Sequence, residues 1–161
     1  MEDLLPKQNR LIMVVEDNPD DIFFIKRALS KAQVKNPTYF AKDGEEAISF
    51  LSEGDKKIPS IKKYSIPPIL ILLDLKLPRV SGFEFLSWLR SQKIPLKLTP
   101  VIVLTSSTQV DDINKAYELG ANSYLVKPVN SYFLTEMMVN IKMYWLVLNE
   151  PPHLYLRIDN G

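Results

Sequence analysis

Five short apolar runs, each closing on or followed at once by a polar or charged residue and each followed by a helix-length stretch, constrain this chain more than any other feature. The runs are LIMVV (11–15), TYFA (38–41), ILILLD (69–74), PVIVLTS (100–106) and SYLVK (123–127). Short, nearly continuous apolar runs rich in branched residues suit strands covered on both faces. After the first run, EDNPDD carries a helix start signal, Asn18 or Asp17 ahead of Pro19, and Ile22, Ile25, Leu29 and Ala32 recur at helical spacing. GEEAISFLS, FEFLSWLRS and VDDINKAYELG supply three further helices. A long last one runs from Ser131 to Leu148, where Phe133, Met137, Ile141, Trp145 and Leu148 are expected to form its buried stripe. Strand and helix therefore alternate five times, which predicts an α/β chain of doubly wound (βα)5 type: a five-stranded parallel sheet with helices on both faces. Residues 53–68, EGDKKIPSIKKYSIPP, are polar, basic and broken by prolines, and read as a surface loop.

At 161 residues the chain can bury one sizeable core. A net charge of +1 gives no electrostatic case for nucleic acid or a membrane surface as partner. With no cysteine, thiolate metal sites, disulfides and a cysteine nucleophile are excluded; with His153 as the single histidine, serine–histidine triads and imidazole-rich metal sites are excluded too. No run approaches the roughly 20 apolar residues of a membrane span, and MEDLLPKQNR has no signal-peptide character, so a cytoplasmic location is expected. The chemistry available is that of carboxylates, hydroxyls and lysine.

In an open parallel sheet the functional crevice lies outside the carboxyl ends of the strands. At those ends stand Glu16 and Asp17, then Asp74, Thr105 and Lys127. Taken singly each has a plain explanation: the two acids as helix caps, Thr105 as a strand-end hydroxyl, Lys127 as a solvated terminus. Taken together they place three carboxylates, a hydroxyl and an ammonium on one rim. Carboxylates about 5 Å apart repel by roughly 3 kcal/mol per pair at an effective dielectric of 20, so such a cluster calls for a cation. All-oxygen ligands select a hard ion such as Mg²⁺. Three acids, a dication and Lys127 would balance and leave the rim ready for an anion. Asp74, fixed at the end of a rigid strand, is then placed as a nucleophile in phosphoryl transfer.

In order and spacing, VVEDNPDD, LLDLKLPRVSG, VLTSS and YLVKP resemble the receiver domain of two-component response regulators, over residues 10–148. The remainder would be an N-terminal arm (1–9) and a tail (149–161). The resemblance implies a flavodoxin-like strand order 2-1-3-4-5 and Asp74 as phosphoacceptor. It implies Mg²⁺ bound by Glu16, Asp17, Asp74 and the Lys76 backbone carbonyl, with Thr105 as switch hydroxyl and Lys127 as phosphoryl-binding lysine. Tyr124 would be the switch aromatic, or else a partly buried strand residue, and the Lys127–Pro128 bond would be cis. Lys76 and Ser107 stand where the family tunes dephosphorylation. The 53–68 insertion and IKMYWLVLNEPP are similar to single-domain regulators that partner cyanobacterial phytochromes. This implies a sensor histidine kinase of phytochrome type as partner and a homodimer through the fourth helix, fifth strand and fifth helix.

Only thirteen residues follow Leu148, so output is expected through protein contact and not through an enzymatic or DNA-binding domain. The apolar LYLRI of the tail could pack on the domain, extend a dimer or hang loose. Among competing functions, an aspartate-nucleophile phosphatase would need a second acid where Lys76 stands. A flavin-binding domain would need a glycine- and hydroxyl-rich loop where EDNPDD would repel phosphate. A receiver acting only as a non-phosphorylated scaffold is the remaining alternative.

Overall fold

The central strands are buried at every position because helices cover both sides of the sheet, leaving no solvent face to alternate with. In the computed structural model, which describes residues 5–53 and 66–152, the strands are β1 (Ile12–Val15), β2 (Thr38–Ala41), β3 (Leu70–Leu73), β4 (Val101–Thr105) and β5 (Ser123–Val126). All pair in parallel, in the order β2-β1-β3-β4-β5, as the strand runs and the resemblance lead one to expect. Most of the 53–68 insertion, His153 and the LYLRI segment lie outside the described residues.

The helices are α1 (Pro19–Lys31), α2 (Gly44–Glu53), α3 (Gly82–Ser91), α4 (Val110–Glu118) and α5 (Ser131–Ile141). Alternate residues of β1 point to opposite layers. Met13 and Val15 pack with Phe50, Phe85, Leu86 and Leu89 of α2 and α3, whereas Ile12 and Val14 pack with Ile25 and Leu29 of α1 and Leu134 and Met138 of α5. Each such aliphatic side chain contributes about 1.5–3 kcal/mol on burial, and these two layers hold the strand ends rigidly.

Of the two cap residues expected for α1, Asn18 is the one used: its side chain accepts from the N–H groups of Asp20 and Asp21. The last helix departs from expectation. It is α-helical only to Ile141 and continues as a π-helical turn, Lys142–Leu148. Fully buried on it are Leu134, Met138, Ile141 and Leu146; of the expected stripe Ile141 is among these, Met137 and Trp145 are partly buried against them, and Phe133 and Leu148 are exposed. The α-helical spacing of four and three residues gives way to a step of five, the span of a π-type hydrogen bond. Nor is Lys127–Pro128 cis. Among the described residues the cis bond is Ile94–Pro95, and the small trans preference of X–Pro bonds leaves the choice to local context.

Candidate functional site

Strand register assembles the site. Val15 of β1 pairs with Leu73 of β3, so the next residues, Glu16 and Asp74, emerge side by side. On the other flank Thr105 of β4 pairs with Val126 of β5, and Lys127 follows, its N–H donating to the Thr105 carbonyl at 2.8 Å. Adjacent parallel strands thus deliver an acid, an acid, a hydroxyl and a lysine to one rim.

The Lys127 ammonium donates to Glu16 Oε2 at 2.5 Å, to Asp21 Oδ2 at 2.9 Å and to Asp74 Oδ2 at 3.1 Å. Glu16 is 1% exposed and Asp74 8%. Burial, together with the Asp74 charge, raises the Glu16 carboxyl to about 7 despite its bond to Lys127. Burial disfavours the charged form of Lys127 as well. The Glu16 and Asp21 hydrogen bonds and the Asp74 and Glu16 charges nonetheless hold its pKa well above the ordinary lysine value. A group so placed stays cationic at any physiological pH.

The loop after β3 keeps Asp74 in place. Leu75 N–H donates to Asp74 Oδ1 at 2.8 Å, and the chain turns back so closely that Gly82 N–H reaches the Leu75 carbonyl at 2.9 Å. A Cβ on Gly82 would lie 2.2 Å from the Asp74 carbonyl oxygen, a clash with backbone that only glycine avoids. Ser81 and Glu84 close a capping box at the start of α3, which fixes the far end of the loop. Midway, the Arg79 guanidinium bonds the buried Asp43 at 2.8 Å and ties the loop to the start of α2.

On the other side, Thr105 is 1% exposed at the end of β4. Tyr124, half-buried in β5, donates its hydroxyl to the Ser107 carbonyl at 2.9 Å. It is therefore engaged with the loop between β4 and α4, not merely packed as a strand aromatic. Its pKa is raised by burial and by the charges of Asp112 and Asp74.

The residues read from the sequence as site members are thus brought to one rim: Glu16, Asp17, Asp74, Thr105 and Lys127, with Tyr124 beside them. Asp17 is exposed, and Lys76, also exposed, lies in the loop beyond Asp74. Sequence reasoning did not assign Asp21. It stands in the first turn of α1, whose phase is set by the Asn18 cap. Asp21 adds a fourth negative charge, so a dication and Lys127 leave the rim with one surplus negative charge instead of the balance expected from three acids.

Glu16, Asp17 and Asp74 each offer a carboxylate oxygen, all within 4.8 Å of one another. Three hard anionic donors at that spacing, with no sulfur or imidazole among them, fit a divalent cation of the Mg²⁺ or Mn²⁺ kind.

The comparisons agree with this geometry. A family model described as the response regulator receiver domain matches residues 12–139. The probable methanogenesis regulatory protein FilR2 of Methanothrix harundinacea is 36% identical over 146 residues, 88% of this chain and 87% of that protein. Response regulator Rcp1 of Synechocystis sp. is 35% identical over 137 residues, 85% of this chain and 89% of that protein. The crystal structure of the phosphorylated cyanobacterial phytochrome response regulator RcpA matches with a TM-score of 0.78 at 35% identity, covering 89% of this chain and 99% of that one.

Proposed function

The chain belongs to the response regulator receiver family, and we propose that Asp74 is its phosphoacceptor, taking a phosphoryl group from a sensor histidine kinase. The observation that carries this is the Lys127 ammonium, bonded at once to Asp74 and Glu16 at the mouth of a three-carboxylate cluster. An Asp74 oxygen attacks phosphorus, the bond from phosphorus to the kinase histidine nitrogen breaks, and that nitrogen keeps the electron pair. The strand end and the Leu75 N–H orient Asp74. Lys127, at 3.1 Å, is placed to leave its carboxylates in part and bond the incoming oxygens, with the Thr105 hydroxyl as a second donor. Mg²⁺, held by Glu16, Asp17, Asp74 and the Lys76 carbonyl, would neutralise the phosphoryl oxygens.

Converting Asp74 to an acyl phosphate adds about one negative charge and new acceptor oxygens beside Lys127. That local change is what a two-state response would read, through Thr105, Tyr124 and the loop before α4. The chain then acts as a signalling protein and not as an enzyme. Likeness to Rcp1 and RcpA supports a phytochrome-type kinase as donor, and such a kinase would place the exchange in the cytoplasm. No helix among the described residues is long and apolar enough to cross a membrane. Exposed Tyr117, Val126 and Val139, on α4, β5 and α5, support a homodimer through these elements. Sedimentation showing only monomer at high concentration, with and without a phosphoryl mimic, would rule that dimer out.

The test of the central reading is labelling by acetyl phosphate with Mg²⁺. Incorporation is expected in the native chain and none in Asp74→Asn; equal labelling of the variant overturns the assignment. A chain acting only as a scaffold would take up no label.

A further inference from the structure

Ser107 is buried at 6% exposure, and both its hydroxyl and its carbonyl are engaged. Its hydroxyl donates to Asp112 Oδ2 at 2.5 Å and accepts from Gln109 N–H at 3.2 Å, while its carbonyl accepts from the Tyr124 hydroxyl at 2.9 Å. A helix cap would account for the Gln109 bond alone. It would not require the carboxylate of Asp112, in the first turn of α4, to hold the serine hydroxyl. Nor would it require the same residue to turn its carbonyl onto a tyrosine from the neighbouring strand.

A loop carbonyl points where the dihedral angles on either side of it allow. With the Ser107 side chain pinned by Asp112, and the N–H two residues on pinned by the Ser107 hydroxyl, those angles are fixed. The Ser107 carbonyl is then presented to Tyr124 as a ready acceptor. We propose that Asp112 is a positioning residue for phosphoryl acceptance: through Ser107 it holds Tyr124 docked on the β4–α4 loop before the phosphoryl group arrives. The proposal rests on Asp74 being the phosphoacceptor. Tyr124 lies three residues before Lys127, and Ser107 two after Thr105, so this relay runs beside the Thr105–Lys127 backbone bond and ties together the two segments that carry the phosphoryl-binding groups. Without it, part of each encounter is spent in loop conformations that have still to close.

The experiment is a double-mutant cycle on the labelling rate from acetyl phosphate with Mg²⁺, using the full chain. Asp112→Ala and Tyr124→Phe are each expected to slow labelling about three- to tenfold, the weight of one hydrogen bond. The double variant is expected to be no slower than the slower single one, because both break the same relay. Asp112→Asn, which keeps an acceptor oxygen for Ser107, is expected to label within about twofold of the native rate. Calorimetric Mg²⁺ affinity is expected to be unchanged in all of them, which a general loosening of the fold would not allow. Additive losses, an undiminished rate in Asp112→Ala, a loss in Asp112→Asn as large as in Asp112→Ala, or a weakened Mg²⁺ affinity each overturn the proposal. Should Asp112→Ala not fold, Ser107→Ala takes its place in the cycle with the same expectations. Asp74→Asn separates the two readings. Label retained there overturns the phosphoacceptor itself, whereas a blank there with an additive cycle overturns the relay alone.

Discussion

Two basic side chains, one at each end of the sheet, are satisfied in opposite ways. At the carboxyl rim Lys127 is bonded to three carboxylates, Glu16, Asp21 and Asp74. At the other end Arg90 of α3 donates to the carbonyls of Gly120, Lys97 and Thr99 and to Asn122 Oδ1, all of them neutral. Burial lowers the Arg90 pKa, while the carboxylates around Lys127 outweigh burial and raise it. Backbone carbonyls have no other state to adopt, so Arg90 is a permanent clamp joining α3, the turn at Leu96–Leu98 and the start of β5. Carboxylates can be protonated, metal-bound or phosphorylated. The partners of Lys127 are therefore exchangeable, and this end of the sheet can answer a chemical event.

The largest expected break in this contrast is Lys127→Met, which keeps the aliphatic stem and removes the charge. Acetyl phosphate labelling of Asp74 is expected to fall about 10²–10³-fold, the usual loss for one preorganised donor; a loss below tenfold would show that Lys127 does not meet the phosphoryl group. The matching change at the other end, Arg90→Ala, is expected to leave labelling per folded molecule unchanged. It should lower stability by roughly 2–4 kcal/mol in urea melts, because four acceptors lose their donor together.

A smaller effect is carried by pH. The Glu16 carboxyl is raised from 4.5 to about 7 in the fold. Its contribution is fully present below the unfolded value and is lost as pH rises through about 7, on the order of 1–3 kcal/mol. Without metal the native chain is thus expected to lose stability between pH 4.5 and 7 through Glu16, and Glu16→Gln to flatten that slope. An unchanged slope in the variant would remove Glu16 as its source. Stabilisation by Mg²⁺ should grow over the same interval, since the ion and the proton compete for one carboxylate. The smallest effect is expected from Asp21→Asn. Its side chain is 39% exposed, solvent screens the pair, and labelling should change by no more than about threefold.

How much of this could be read in advance varies with how unique the local pattern was. Each of β1, β3, β4 and β5 was marked by a short run, and the residues at or just past the run ends fell where the register put them. Glu16, Asp74, Thr105 and Lys127 were legible for that reason. The α5 face was not. Phe133 and Leu134, Met137 and Met138, and Trp145 and Leu146 are apolar neighbours, so two stripes compete at helical spacing and only packing against α1 chooses between them. Asp21 was hidden by redundancy of another kind. EDNPDD holds four acids, and which of them turns toward Lys127 depends on Asn18 being the cap, which sets the phase of α1. The tie between Ser107 and Asp112 had no signal in the sequence, since a serine five residues before an aspartate is commonplace.

The turn at Lys142–Leu148 holds one residue more than an α-helical path of equal rise, and one surplus residue rotates everything after it by about 100°. The slack is taken up locally, like a dropped stitch, and the seam between α1 and α5 is left undisturbed. Tyr144, Val147 and Leu148 consequently look outward, while Leu146 closes the core. Deleting one residue between Lys142 and Trp145 would remove the surplus and leave Leu146 four positions after Ile141, an α-helical step that keeps it in the core. For this end of the molecule, then, loss of a single codon is expected to be absorbed, whereas winding the turn to α with every residue kept would bring Trp145 to the place of Leu146.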